Sequence, residues 1–435
     1  MNFVKFALKN GADDVVIEKN SGEIKQVRFT NNSIQIFNTW NISGYDIFLS
    51  YKKRTVNTTV CGLAEKDVTD AIIKLIKYAK ITKMNQDYFG IAEGPFKYKK
   101  IPKIFDKKII DANLSDIAEN MINSALKNSN NTAGIVYTEN NERELETSSN
   151  VSGSEKSTSI KLSIRAFKSD EETGHSASCS RTLNNIDPEE TGRKAGEIAS
   201  LVKNPQKIEP GKYDVIFDPL SASNVLSTVG AMSSAFFVDS GMSFLREKIG
   251  KKVANDNVTL IDDGTMPNGF QSTSFDSEGV PTRRTNIIDK GVLKTYLHNT
   301  STAKKYKTGT TANAGIIAPY PRNIILKEGN ASKEKIFEDF NGFYITNVWY
   351  TRFQNYLTGD FSTIPRDGIF LFKNGEIVKS IKDIRVSDNI QRMLENISNL
   401  SNKPEWIIWW GLDFQVPVLA PYILIKDVNI TQSRM

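Results

Sequence analysis

One stretch limits what this chain can fold into more than any other. Asp218–Phe237 reads Asp-Pro-Leu-Ser-Ala-Ser-Asn-Val-Leu-Ser-Thr-Val-Gly-Ala-Met-Ser-Ser-Ala-Phe-Phe. Asp218 can accept from the first free backbone N–H groups of a helix, and Pro219 sits where its missing N–H costs nothing. Leu220, Val225, Leu226, Val229, Met232 and Phe236 recur at roughly helical spacing and predict one apolar face. Ser, Ala, Thr and Gly fill the remaining positions. A helix with so little charge and so many small residues needs cover on several sides, so the rest of the chain must build layers around it. The stretch also contains no His, Glu or Cys.

The covering material is available. The chain has 435 residues, 39% hydrophobic and 24% charged, which is the composition of a protein with a sizeable core and room for two domains. Its net charge of +6 is a mild excess. The basic clusters Tyr51-Lys-Lys-Arg54 and Lys97-Tyr-Lys-Lys-Ile101 are too short to predict a nucleic-acid surface. Cys61 and Cys179 are the only cysteines, which argues against a disulfide framework and fits a reducing interior. Lys5 and Lys9 interrupt the apolar N-terminus, so a short amphipathic helix is expected there and not a signal peptide. Trp406–Ile425 is apolar, but Asp413, Gln415, Pro417 and Pro421 predict two short strands with a bend, not a membrane span. A cytoplasmic protein is expected.

Short β-branched segments with intervening Asn and Gly predict strands at Asp13–Lys19, Glu23–Thr30, Ser33–Thr39 and Gly44–Ser50. Helical periodicity follows over Ala64–Lys80 and around Leu114–Leu126. Strands are expected again at Gly134–Thr138, Glu142–Ser149 and Ser157–Ala166. Asp187-Pro-Glu-Glu then opens a helix with acids in its first turn. Pro205, Pro210 and Gly211 mark a boundary, giving an N-terminal domain over 1–205 and a C-terminal domain over 206–435. In the second, strands outnumber helices, and Asn374-Gly375 predicts a tight hairpin between Gly368–Lys373 and Glu376–Ile381. The fold class is α+β: a mixed α/β N-terminal domain and a β-rich C-terminal one. No internal sequence repeat is visible.

Chemistry is sparsely marked. His175 and His298 are the only imidazoles. His175 and Cys179 lie four apart on a predicted strand, share a face, and could meet one ion if a further ligand came from elsewhere. The densest carboxylates near the small-residue helix are Asp262, Asp263, Asp276 and Glu278. They could bind a hard cation or act as acid and base, though ordinary turn chemistry accounts for Asp-Asp-Gly and Ser-Glu-Gly as well. Lys304–Thr311 does not follow the order of a phosphate-binding loop. Trp406, Trp409 and Trp410 read as core or interface packing ahead of a ligand platform.

Beyond the residues themselves, an ordered set of segments resembles the TldD/TldE family, whose TldE branch is also called PmbA. The segments are Pro188-Glu-Glu-Thr-Gly-Arg-Lys-Ala195, Gly211-Lys-Tyr-Asp-Val-Ile-Phe-Asp-Pro219, Ile261-Asp-Asp-Gly264, Asp276-Ser-Glu-Gly-Val-Pro-Thr282, Gly291–Ala303, Thr310–Ala314, Leu357-Thr-Gly-Asp-Phe-Ser362 and Asn374-Gly-Glu-Ile377. The resemblance implies a two-domain α+β fold. It also implies a heterodimer with a TldD-like chain that acts as a zinc-dependent peptidase on short or unfolded peptides.

In the TldD branch the helix after the Asp-Pro strand carries His-Glu-x-x-x-His, with a Cys near the C-terminus. Counted without gaps from Ile261, those helix positions fall here on Leu226, Ser227 and Ala231, and the Cys position falls near Trp410. No His lies between His175 and His298 and no Cys follows Cys179, so a gap cannot restore the set. The resemblance therefore implies the TldE/PmbA branch, with no catalytic residue and no cofactor in this chain, and zinc in a TldD-like partner. Thr310, Thr311, Asn313, Thr358, Gly359 and Asp360 are the candidates for loops lining a peptide channel. Two other readings stand beside this one: a homodimeric peptide-binding or scaffold protein of the modulator-of-gyrase type, and a metal-dependent hydrolase using Asp262, Asp263 and Asp276.

Overall fold

The computed structural model describes residues 1–433. The fold is α+β, and strands make up most of it. Its first layer is a six-stranded antiparallel sheet in the order Arg54–Cys61, Ser33–Tyr51, Val15–Thr30, Asn131–Thr147, Ser152–Phe167, Thr173–Ser180. The expected breaks at Asn20-Ser-Gly22, Asn41–Gly44 and Asn140-Asn141 do not occur. Val15–Thr30 is one strand of 16 residues and Ser33–Tyr51 one of 19. Each polar interruption is paired on its neighbours, so a ladder overrides the local turn preference. At Gly22, a β-carbon would overlap the backbone of Asn140, so this glycine serves close strand approach and not a turn.

The sheet also contains a duplication that the sequence does not display. Helix Phe3–Lys9, three strands and helix Glu65–Ile81 form one unit. Helix Leu114–Leu126, three strands and helix Pro188–Leu201 form a second. The units join through Val15–Thr30 against Asn131–Thr147, so each mirrors the other's strand order. Side-chain alternation then sorts the faces. Val15, Ile17, Val27 and Phe29 turn toward the helices, together with Val68 and Ile72 of one unit and Met121 and Ala195 of the other. Val16 and Leu145 point the opposite way and meet Phe275 of the second half.

All strands of the other two sheets come after residue 210. A six-stranded sheet runs Val292–Leu293, Arg284–Asp289, Leu260–Asp263, Ile324–Leu326, Val418–Ala420, Glu405–Ile407. In the larger sheet, Gly342–Asn355, Gly211–Phe217, Ile423–Gln432, Ile384–Asn389 and Asp360–Lys373 pair in that order. Gly342–Asn355 pairs again with Asp360–Lys373, closing these strands into a ring. Glu376–Ser380 extends it through the Asn374-Gly375 turn, where both residues have positive φ (49° and 78°) as a tight hairpin of this twist requires.

The small-residue helix spans Pro219–Met232, and all 14 of its residues are buried. It stops at Ser233 and restarts as Ala235–Asp239 because Ser234 caps the second segment through Phe236 N–H. Ser221 Oγ donates to Ile345 O (2.7 Å) and Asn224 Nδ2 to Val348 O (3.3 Å), fixing the helix to the ring. Gly230 faces Ile324 of the other sheet so closely that a β-carbon would overlap it. The predicted single apolar face is therefore too narrow a description: small residues let the helix be enclosed on all sides. Among the described residues, no helix is long and apolar enough to cross a membrane.

Candidate functional site

The helix positions matched to a metal motif are filled by packing. Leu226 is 1% exposed and belongs to the main core, and Ala231 is fully buried. Ser227 Oγ donates to Asn224 O (3.0 Å) within the helix. Trp410 is different: it is 61% exposed, edge-on to Trp349 with centroids 5.0 Å apart. The loop it begins does reach the helix, because Asn224 Nδ2 also donates to Gly411 O (3.4 Å). These side chains offer no donor set for zinc. Among the described residues, no three His, Cys, Asp or Glu side chains are grouped so as to hold a metal ion.

His175 and Cys179 do share a face of the strand Thr173–Ser180, as their spacing predicts. That face is buried against the second half. His175 Nε2 meets Ser163 Oγ (2.9 Å), its Nδ1 accepts from Asn347 Nδ2 (2.9 Å), and its ring stands edge-on to Trp409. Burial lowers its pKa to about 4 and raises that of the Cys179 thiol to about 12. Both are occupied by packing.

The carboxylates split into two roles. Asp262 accepts from Asn313 Nδ2 (2.6 Å), Arg322 N (2.6 Å) and Asn323 N (3.0 Å), and burial raises its pKa to about 6 in spite of them. Asp276 accepts from the N–H groups of Glu278, Val280 and Ala314, the first two closing its own turn. Asp263 Oδ1 accepts from Thr265 N and Oγ1. These three aspartates are structural. Glu278 is not used in this way. It is 7% exposed, and the backbone donor that reaches it is Thr300 N–H at the start of helix Thr300–Lys305 (3.2 Å). Burial, and after it the charge of Asp276, raises its pKa to about 8.

Glu278 lines a cavity of about 400 Å³ where the first sheet meets the second half. Val16, Phe48 and Thr55 come from that sheet. Asn85, Asp87, Tyr88 and Ile91 come from the connector after helix Glu65–Ile81. Phe236, Asp239, Ser240, Asn299, Ser301, Thr302 and the loop Gly315–Pro319 close the other side. Ser301 ties the walls together, accepting from Phe89 N (3.0 Å) and donating to Gly90 O (2.9 Å).

The suggested channel residues fall into two separate networks. Thr310 and Thr311 donate to His298 O (both 3.1 Å), and Asn313 holds Asp262 behind the cavity wall. Thr358 bonds to Asp360, Asn389 bonds to both, and Gly359 accepts from Ile390 N (2.9 Å) on the ring. Thr311, Asn313 and Gly359 are buried, whereas Thr358 is exposed. Phe48, Tyr88, Ile91 and Phe236 carried no sequence signal for a site, since they reach it from segments far apart in the chain.

A family model described as the PmbA/TldA metallopeptidase C-terminal domain matches residues 210–432, and the corresponding central-domain model matches 100–201. The chain belongs to the PmbA/TldD family. Among its relatives are an uncharacterized protein of Methanocaldococcus jannaschii, 28% identical over 411 residues (92% of this chain, 94% of that one), and a protein of Haemophilus influenzae described as a metalloprotease PmbA homolog, 26% identical over 421 residues (91% and 88%). The solved structure of TldE from Thermococcus kodakarensis superposes with a TM-score of 0.85 at 22% identity, covering 99% of both chains, which establishes the shared fold. In this PmbA/TldD chain, the C-terminal model covers the whole of the buried helix Pro219–Met232.

Proposed function

We propose that this chain is the TldE/PmbA-like subunit of a zinc peptidase of the TldD/TldE type, one that cleaves short or unfolded peptides with chemistry supplied by a TldD-like partner. The observation that carries this reading is the helix Pro219–Met232. It starts at Asp218-Pro219 and lies buried at the centre of the second half, and the positions that an ungapped count gives to the ligands and the base hold Leu226, Ser227 and Ala231, all buried in packing. The chain's part is then architectural: to complete the peptide channel and stabilise the partner. Peptides binding along a sheet edge by backbone hydrogen bonds would account for broad specificity.

The test is a search of the source genome for a His-Glu-x-x-x-His paralogue, followed by reconstitution with it. This chain alone should carry no stoichiometric zinc after dialysis and cleave no peptide. The mixture should form a one-to-one complex with zinc and activity. Zinc and cleavage in this chain alone would overturn the proposal, and so would failure to associate with the paralogue.

A further inference from the structure

We propose that the cavity at the seam binds a primary ammonium group carried on a small apolar body, with Glu278 as its anionic partner. Three observations carry this. The walls are mainly apolar where Phe48, Ile91, Phe236 and Pro319 meet, so a ligand must bring hydrophobic surface to fill them. The cavity holds one deeply buried carboxyl, that of Glu278, whose neutral partners both belong to Thr300, its N–H group (3.2 Å) and its hydroxyl. The other acids at the cavity, Asp87 and Asp239, are both bridged by Lys305 (2.9 Å each). Among the described residues no Lys, Arg or His nitrogen makes an ion pair with Glu278. An ammonium group has three donors and one positive charge, which matches what this carboxyl lacks.

The charged surroundings fit the same ligand. Asp276 on the same turn adds negative potential, Lys304 on helix Thr300–Lys305 opposes it weakly, and Tyr88 lines the cavity from the connector with its hydroxyl donating to Asp14 (2.8 Å). Burial and the charge of Asp276 favour the protonated form of the carboxyl. A bound cation favours the ionised carboxyl, so binding releases protons near neutral pH and tightens as pH rises.

The experiment is calorimetric titration of the full chain with 2-phenylethylamine, its neutral isostere 2-phenylethanol, and 3-phenylpropionate, at pH 7 in two buffers of different ionisation enthalpy. Phe-Ala-amide and its N-acetylated form extend the series. The amine should bind at one site, about tenfold or more tighter than the alcohol, with proton release, and the anion should not bind. Glu278→Gln keeps an acceptor for Thr300 N–H and should abolish the preference for amine over alcohol. Binding of the free dipeptide but not its acetylated form identifies a peptide amino terminus as the source. Binding of the small amine alone identifies a free amine. Equal binding of amine and alcohol, no saturable amine binding, or an unchanged preference in Glu278→Gln would each overturn the proposal. The comparison of ligands in the unaltered chain decides it even if the variant fails to fold.

Discussion

Single side chains in this protein report their surroundings through their protons. Glu278 and Asp262 are carboxyls whose folded pKa values, about 8 and about 6, lie above their ordinary values of 4.5 and 3.8. The folded chain therefore keeps protons that the unfolded chain releases, and stability falls as pH rises through each window. For Glu278 the loss begins above its ordinary value of 4.5 and continues as pH rises through its raised folded value. Urea unfolding at pH 5, 6.5 and 8.5 should show this decline, and in Glu278→Gln the decline should be clearly smaller. Parallel curves for the two proteins would refute the assignment. The sequence had already marked both residues as members of an acidic group. It could not separate the aspartate that fastens Asn313 from the glutamate that faces a cavity, because their partners lie dozens of residues away.

Among elements, the helix Pro219–Met232 shows how burial constrains sequence. Its cap, its proline and its small residues were legible, as was the start at Asp187 of the helix Pro188–Leu201 behind the first sheet. Full enclosure explains the absence of charge: an ionised side chain here would lose its hydration without finding a partner. Ser227→Glu should therefore destabilise the protein by about 3 kcal/mol or more, read as a lowered denaturation midpoint. Ser227→Ala should cost about 1 kcal/mol or less, because it removes only the bond to Asn224 O. A Glu at this position that leaves stability intact would mean the helix is wetter than its packing indicates. Strands were less legible than helices. Asn20-Ser-Gly22 read locally as a turn and residues 139–141 as a gap between two strands, yet both lie inside strands because both flanking ladders are satisfied.

For the whole molecule, the central question is what joins the first sheet to the second half. Arg143 is the main polar fastening. It pairs with Glu18 (2.6 Å), donates to Phe275 O (3.0 Å) and Asp276 O (3.2 Å), and lies over the Phe275 ring. Arg165 and Thr173 converge on the buried Asp367, and Arg181 donates to Phe270 O (2.6 Å). Arg143→Met keeps the packing over Phe275 but takes away the cation paired with Glu18, and it removes one donor from each of the Phe275 and Asp276 carbonyls, which keep Thr273 Oγ1 and Gly279 N–H. Hydrogen exchange should then quicken at residues 273–281 and around Glu18 while the ring strands stay protected. Uniform quickening across the molecule would show that the two halves unfold as one and that the seam is not a separate unit.

The sequence by itself determined the longer helices, the starts at Asp187 and Asp218, the Asn374-Gly375 hairpin, the α+β class and the family, because each rests on local spacing or on short ordered motifs. It also determined that His and Cys ligands are missing from the central helix, since that is a matter of residue identity. Only the tertiary structure decided that the strands run long through Asn and Gly, that five of them close into a ring, and that two helix–strand units form one sheet. It alone placed Glu278 in a cavity with Phe48, Tyr88 and Phe236. Those outcomes depend on pairing and burial between segments far apart in the chain, and no local pattern encodes which distant partner a strand or a carboxylate will meet.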